Sequence, residues 1–145
     1  MAHVVLERKL DKAGLAPHVW VDSPGTGDWH IGEQMDRRAA ATLTAAGYDA
    51  TRHRSRLFEV DWYDDHDLIL VMDETNRGDV LRMAPGVDDR ARVMMFREFD
   101  PEATGDLALP DPWYGGQSGF EDVLDTVERT TDVIVDKLVE AYAHR

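Results

Sequence analysis

The sequence predicts an α/β domain built on a parallel sheet, and three observations support this fold class. Short apolar, β-branched runs alternate along the chain with amphipathic stretches of helical spacing. One run, Leu68–Met72, is continuously apolar, as expected of a strand buried on both faces of a parallel sheet. The length of 145 residues favours a single domain over residues 1–145.

The N-terminal half predicts two helices with a strand between them. Apolar residues recur at helical spacing over Ala2–Ala13, and Gly14 follows as a stop. The β-branched and aromatic run His18–Val21 predicts a strand that ends in a turn at residues 22–25. A second helix is expected over Asp36–Gly47, with the aspartate as its cap and the glycine as its stop.

The C-terminal half predicts two strands and two helices. Asp73 follows the strand Leu68–Met72 at once and is expected to cap a helix, and Val93–Phe96 is the next apolar run. Pro101–Gly119 is rich in Gly, Pro and Asp and predicts a long loop. Ser118–Glu121 then has the spacing of a capping box before a long amphipathic helix. The apolar stripe of that helix consists of Phe120, Val123, Leu124, Val127, Ile134, Leu138 and Tyr142.

Composition excludes several classes of function. Acidic residues outnumber basic ones by 29 to 16, which gives a net charge of −13. So acidic a chain repels phosphate backbones and anionic lipid, and neither nucleic acid nor a membrane is expected as a partner. The chain has no cysteine, so disulfides, thiolate metal sites and a cysteine nucleophile are excluded. No targeting or membrane-spanning pattern is apparent, and a cytoplasmic location is expected.

Metal ligation is the other chemistry to weigh, because one acidic segment also contains a histidine. Its members are Asp61, Asp64, Asp65, His66 and Asp67. Their spacing matches neither an EF-hand loop nor a helical histidine pair, so a solvated acidic face is the preferred interpretation. No metal and no cofactor is expected. Trp20 and Trp62 lie at apolar or segment-end positions and are interpreted as packing residues.

Several segments, collinear over nearly the whole chain, resemble the low molecular weight protein tyrosine phosphatases. Met1–Leu6 resembles the start of the family's first helix, and Val21–His30 its Asp-Ser-Ala-Gly-Thr segment with the loop after it. His53–Arg56 resembles a His-x-x-Arg stretch, and Asp67–Asp73 the third strand. Pro110–Gly116 is the clearest match, to an Asp-Pro-Tyr-Tyr-Gly loop. The resemblance implies the family's phosphotyrosine phosphatase I-like parallel sheet flanked by helices.

One part of the family pattern is absent. The family begins with a strand and a Cys-x5-Arg-Ser loop that cradles phosphate, whereas this chain starts at the methionine expected just after that loop. The resemblance therefore implies a sheet without its first, central strand and a site without nucleophile or phosphate-clamping arginine. We expect the chain as given to be inactive. We expect the gap to close by re-pairing of strands or by strand pairing in a homo-oligomer.

The resemblance also assigns roles to particular side chains. Asp111 takes the position of the general acid that protonates the leaving phenolate, although its Pro-Asp-Pro setting is also typical of a turn carboxylate. Ser23 and His53 resemble polar residues that support the phosphate loop, and a surface position is the alternative for His53. The resemblance makes Trp29, Trp113 and Tyr114 the aromatic walls of the cleft. A packing role is the alternative for each tryptophan, and it is weakest for Trp29, which lies in a polar loop.

Two functions follow from the resemblance. In an intact form, the protein hydrolyses phosphotyrosine in proteins, or aryl phosphates, through a phosphocysteine intermediate. In the alternative, the chain is a catalytically dead relative that binds phosphotyrosine or a protein partner. A third interpretation, the arsenate reductases that share the fold, is disfavoured by the Asp-Pro-Trp-Tyr loop at residues 111–114.

Overall fold

A computed structural model describes residues 1–22, 24–25, 37–49, 56–57, 59–109 and 116–143. The helices in this part are α1 (Ala2–Lys12), α2 (Arg37–Ala45), α3 (Trp62–Asp65), α4 (Glu74–Arg82), α5 (Val87–Arg90) and α6 (Gly116–Ala143), with a 3-10 turn at Phe96–Phe99. The strands are β1 (Pro24–Gly25), β2 (Arg56–Leu57), β3 (Ile69–Val71) and β4 (Val93–Met95). Among the described residues, no helix is long and apolar enough to cross a membrane.

Both strand pairs are parallel, which confirms the predicted fold class. In one pair β1 lies beside β2 with Pro24 opposite Arg56, and in the other β3 lies beside β4 with Ile69 opposite Val93. No ladder joins the two pairs within the described ranges, where they form two separate two-stranded sheets. The parallel sheet flanked by helices is therefore present in two halves.

The main core lies between α6, α1 and α2. Its buried members are Val5, Leu43, Phe96, Val123, Leu124, Val127 and Ile134. The predicted apolar stripe of α6 is thus confirmed, but two buried threonines that were not predicted lie at its centre. Thr130 and Thr131 are fully buried, and their hydroxyls donate to the carbonyl oxygens of Thr126 and Val127 at 2.7 Å. These bonds satisfy both hydroxyls inside the helix and let the stripe continue without a gap.

Three helix ends agree with the local signals in the sequence. Gly14 and Gly47 follow α1 and α2 with φ of +76° and +92°, a left-handed conformation that glycine adopts without a steric cost. Asp73 caps α4, because its Oδ1 accepts a hydrogen bond from the Asn76 amide at 2.8 Å.

The predicted strand His18–Val21 is wrong. Residues 16–18 form a turn, and the residues after it have no ladder partner in the described chain. The segment still alternates between half-buried and exposed side chains, because Val19 and Val21 pack on an apolar cluster between α1 and α6. The interpretation of Trp20 as a packing residue is also wrong, since 87% of its surface is exposed.

Two further boundaries differ from the prediction. Leu68 lies before β3 and is 41% exposed, so the run Leu68–Met72 is not buried on both faces over its whole length. Helix α6 begins at Gly116, which places Ser118 inside the helix instead of at its cap and shortens the predicted loop. An apolar run shows that a strand exists, but which of its ends is covered depends on distant segments.

Candidate functional site at the carboxyl ends of the strands

The residues that the sequence assigns to the site fall in segments of the chain that lie outside the described residues. They are Ser23, Trp29, His53, Asp111, Trp113 and Tyr114. The structure does describe the residues at which these segments begin and end.

The segment that contains Asp111 begins beside the carboxyl end of β3. The amide of Leu109 donates to the carbonyl oxygen of Met72 at 2.8 Å, one residue beyond that strand. The segment that contains Trp29 likewise begins directly after β1. Ligands of open parallel α/β sheets bind outside the carboxyl ends of the strands, so both segments begin where such a site is expected.

The helices that follow the two segments contact each other near their amino ends. Residues 26–36 lead into α2, and residues 110–115 lead into α6. In the first turn of α2, the guanidinium carbon of Arg38 lies 4.9 Å from the centroid of the Phe120 ring in α6, a cation–π distance. The helices that follow the segments with the predicted aromatic walls are therefore neighbours at this contact.

The amino end of α1 packs on the same core as the start of the segment with Asp111. Met1, Met72 and Leu109 all pack against the main apolar cluster. Met1 provides no side-chain cap, and burial lowers the pKa of its α-amino group to about 6. Helix N-termini present unpaired backbone amides, which are donors suited to an anion.

A buried aspartate organises the loop that leads to the segment with Asp111. The side chain of Asp100 is fully buried and accepts from Arg129 through Nε at 2.9 Å and Nη2 at 3.1 Å. It also accepts from Arg97 Nε at 3.0 Å and from the Glu102 amide at 2.9 Å. The hydrogen bonds from Arg129, followed by those from the other two donors, lower the pKa of Asp100 to about 2 in spite of its burial.

The second arginine of this network fixes the far side of the same loop. Arg97 Nη1 donates to the carbonyl oxygens of Ala108 at 2.8 Å and Asp106 at 3.2 Å. The Asp106 carboxylate in turn accepts from the Ala108 amide at 2.9 Å. Together with the bond from Leu109, these contacts hold the loop from residue 100 to residue 109 at both ends.

Sequence reasoning missed this network. Asp100 and Arg129 are 29 positions apart, and neither belongs to a recognisable motif. One signal was available, because Arg129 lies between the apolar positions Val127 and Ile134 on α6. An arginine beside a core stripe is more often paired than free.

The acidic segment is solvated, as interpreted from the sequence. Asp61, Asp64, Asp65 and Asp67 are all exposed, whereas His66 is half-buried. Among the described residues, no three carboxylates or histidines converge in a way that would hold a metal ion.

Parallel strands flanked by helices define this chain as an α/β protein. The family described as low molecular weight phosphotyrosine protein phosphatase matches residues 1–143. The chain therefore belongs to the low molecular weight protein tyrosine phosphatase family, and the resemblance predicted from its sequence is confirmed.

Individual relatives agree with this assignment. The chain is 42% identical to the low molecular weight protein-tyrosine-phosphatase of Streptomyces coelicolor, over 88% of this chain and 78% of that protein. It is 38% identical to low molecular weight protein-tyrosine phosphatase A of Mycobacterium tuberculosis, over 99% of this chain and 85% of that protein. The protein tyrosine phosphatase of Entamoeba histolytica superposes with a TM-score of 0.88 at 27% identity, over 97% and 88% of the two chains.

Proposed function

We propose that this chain supplies the substrate-binding and proton-donating part of a protein tyrosine phosphatase, and that it does not hydrolyse phosphate esters by itself. The substrate class is a phosphotyrosine protein or another aryl phosphate. The observation that supports this best is the contact between the two helices that follow the predicted recognition segments. Each segment begins at the carboxyl end of a strand, and the helices that follow, α2 and α6, meet through Arg38 and Phe120.

Asp111 has the role of general acid in this proposal. A phenolate has a conjugate acid of pKa ~10, so it leaves far more readily when a positioned acid supplies its proton. Trp29, Trp113 and Tyr114 hold the planar ring of the substrate by face or edge contacts. The anchored loop between Asp100 and Leu109 supports this role, because a general acid must be held at a fixed place relative to the leaving oxygen.

The inactivity of the chain follows from its composition. The family's chemistry needs a low-pKa thiolate, and the chain contains no cysteine. Its serine and threonine hydroxyls are weak nucleophiles unless an adjacent base activates them. Without a thiolate, no phosphoenzyme of the family's kind can form.

Two measurements on the purified chain test the proposal. Hydrolysis of p-nitrophenyl phosphate should not exceed the buffer rate. Benzylphosphonate, a non-hydrolysable aryl analogue, should shift indole NMR signals of the chain with weak affinity. Those shifts should be lost in Trp113→Ala and kept in the control Trp20→Ala, since Trp20 lies outside the proposed cleft. Hydrolysis that Asp111→Ala abolishes would contradict the proposed inactivity, and shifts unchanged in Trp113→Ala would contradict the proposed cleft.

The alternative is a catalytically dead binding protein. It has the same proposed cleft, and it differs in what its gene encodes upstream of the Met1 codon. Translating the nucleotides upstream of the Met1 codon distinguishes the two. A Cys-x5-Arg-Ser reading frame there supports a phosphatase in its intact form. A stop codon in that frame supports the binding protein.

We also propose that a second copy of the chain pairs with an open sheet edge. The two strand pairs are separate among the described residues, and unpaired edges of short sheets are templates for another strand. Light scattering with size-exclusion chromatography should give a dimer or larger species that melts with a concentration-dependent Tm. A monomer that unfolds cooperatively at one Tm over all concentrations would overturn this.

A further inference from the structure

The most exposed large apolar side chain among the described residues belongs to Trp20, at 87% exposure. Because Val19 and Val21 face the core, the alternation of this segment puts Trp20 and Asp22 on the outward side. Asp22 then contacts the region after α3, since its Oδ2 lies 2.9 Å from Nε2 of His66. Trp20 lies two residues before this contact.

The ring of His66 joins this part of the surface to a second tryptophan. It stacks on Trp62 with centroids 4.6 Å apart and an angle of 8° between the planes. Its Nδ1 donates to the carbonyl oxygen of Trp62 at 2.9 Å. Leu68, 41% exposed, follows two residues later. We call Trp20, Asp22, Trp62, His66 and Leu68 the Trp20 surface.

An acidic rim borders the Trp20 surface. Its members are Glu59, Asp61, Asp64, Asp65 and Asp67. All five are exposed, and none forms an ion pair within the described ranges. The stretch 59–68 contains no lysine or arginine. An aromatic platform is thus bordered by a concentrated negative charge that nothing on its own segment neutralises.

We propose that the Trp20 surface docks a basic segment of a partner protein. One apolar or aromatic side chain of the partner packs on the tryptophans, and its arginine and lysine side chains meet the acidic rim. Exposed tryptophans are frequent anchors of protein interfaces, and their faces also attract cations. The stacked and hydrogen-bonded His66 holds the platform in place, which lowers the entropy lost on binding.

The negative charge of the acidic rim favours a basic protein segment over a second copy of the chain, anionic lipid or nucleic acid. In a symmetric contact between two copies, the acidic rim would face another acidic rim on chains that each carry −13, so a second copy is repelled here. Anionic lipid and nucleic acid are repelled for the same reason. In the part of the chain that the structure describes, the carboxylates do not converge as ligands for a cation.

The Trp20 surface also lies apart from the proposed cleft. Leu68 is at the amino end of β3, whereas Leu109 and Met72 meet at its carboxyl end. A strand of three residues separates these ends by about 10 Å. A docked segment therefore leaves the cleft open, and docking does not depend on the proposed function of the cleft.

Calorimetric titration with a short synthetic peptide tests the proposal. The probe contains one tryptophan flanked by arginine and lysine, and the two control peptides replace either the basic residues by glutamate or the tryptophan by glycine. Only the probe should bind well, and its affinity should fall with salt. Trp20→Ser should weaken binding about tenfold, as expected for an interface anchor. The double variant Asp64→Asn, Asp65→Asn should weaken it and reduce its salt dependence.

The matched control is Val87→Ser, which removes an 82% exposed apolar side chain on α5 that is not a member of the Trp20 surface. Its affinity for the probe should equal that of the unchanged chain. The proposal is overturned if the probe does not bind, or if Trp20→Ser binds it as tightly as the unchanged chain does. It is also overturned if Trp20→Ser abolishes self-association in light scattering, which would assign the surface to a second copy. Benzylphosphonate binding should be the same in all these variants, so failure of the cleft and failure of the docking surface are distinguishable.

Discussion

Two regions of this protein place their carboxylates in opposite environments, one buried and paired, the other exposed to solvent. In the loop after the 3-10 turn, the Asp100 carboxylate is fully buried and accepts hydrogen bonds from Arg97, Arg129 and the Glu102 amide. In the segment 59–67, five carboxylates are exposed, and none has an ion-pair partner in the described chain. The loop leads to the segment with Asp111, whereas the acidic segment borders the Trp20 surface.

The difference follows from the cost of burying a charge. A carboxylate removed from water must be paired, and once it is paired it fixes the backbone around it. An exposed carboxylate keeps its hydration and fixes little, but several together create a field that a partner can use. Asp100 therefore stabilises the conformation of its own loop, whereas the acidic segment is available to attract a partner.

The largest expected effect is that of Asp100→Ala on stability. The substitution removes the buried carboxylate to which Arg97 and Arg129 donate, and in the described chain it leaves Arg129 only the exposed Glu102 at 3.3 Å. Breaking a buried pair costs about 3–5 kcal/mol. Urea unfolding of the chain should report this loss in the free energy of unfolding. The matched control, Asp64→Ala, removes an exposed carboxylate and should change it by less than ~0.5 kcal/mol. Equal losses in the two variants would remove the distinction between the two regions.

The second largest expected effect is the loss of the contribution of Asp100 to the free energy of unfolding at acid pH. Because the pKa of Asp100 is lowered from 3.8 to about 2, the folded state binds this proton less readily than the unfolded state does. Its contribution is fully present above pH 4 and is lost as the pH falls through 2, and the shift corresponds to roughly 2–3 kcal/mol. Asp100→Asn lacks this contribution, so its deficit against the unchanged chain should shrink between pH 4 and pH 2.

The control for the acid measurement is Asp64→Asn, which removes an exposed carboxylate that has no ion-pair partner in the described chain. A deficit of Asp100→Asn that does not shrink would show that the aspartate is not ionised in the folded state. It would also show that the pairing with Arg129 is not what holds the loop.

Arg97→Lys tests how far the buried network extends toward the proposed cleft. Lysine keeps the charge but lacks the planar fork with which Arg97 reaches Asp100, Asp106 and Ala108 together. The expected loss is about 1–2 kcal/mol, the cost of one or two hydrogen bonds. Hydrogen exchange at the Leu109 amide should accelerate more than exchange at amides in the middle of α6. Uniform acceleration would mean that Arg97 stabilises the whole fold and not this loop.

A structural feature could be predicted from the sequence when it depends on residues close together along the chain. The helical stripe of α6, the stops at Gly14 and Gly47 and the cap at Asp73 are local signals, and the structure confirms them. The exposure of Trp20 is not local, because it depends on whether another segment covers the outward side. The alternation of its neighbours indicated two faces, but could not tell which face is covered.

The candidate site shows the same limit. The roles of Asp111 and the aromatic residues came from a resemblance, since nothing in their spacing identifies a phosphatase. The pairing of Asp100 with Arg129 spans 29 positions and brings together a loop and a helix. Only packing of α6 beside the 3-10 turn creates it, and periodicity within either element does not contain that information.

The smallest expected effect separates the two regions by their response to salt. Asp67→Lys places a positive charge among four exposed carboxylates and should raise the free energy of unfolding by about 0.3–0.5 kcal/mol at low ionic strength. The gain should vanish near 1 M salt, where the screening length is about 3 Å. The loss caused by Asp100→Ala should persist there, because a buried pair is screened much less. If both effects faded together, Asp100 would be as accessible to ions as the acidic segment, and its burial could not be what gives it a structural role.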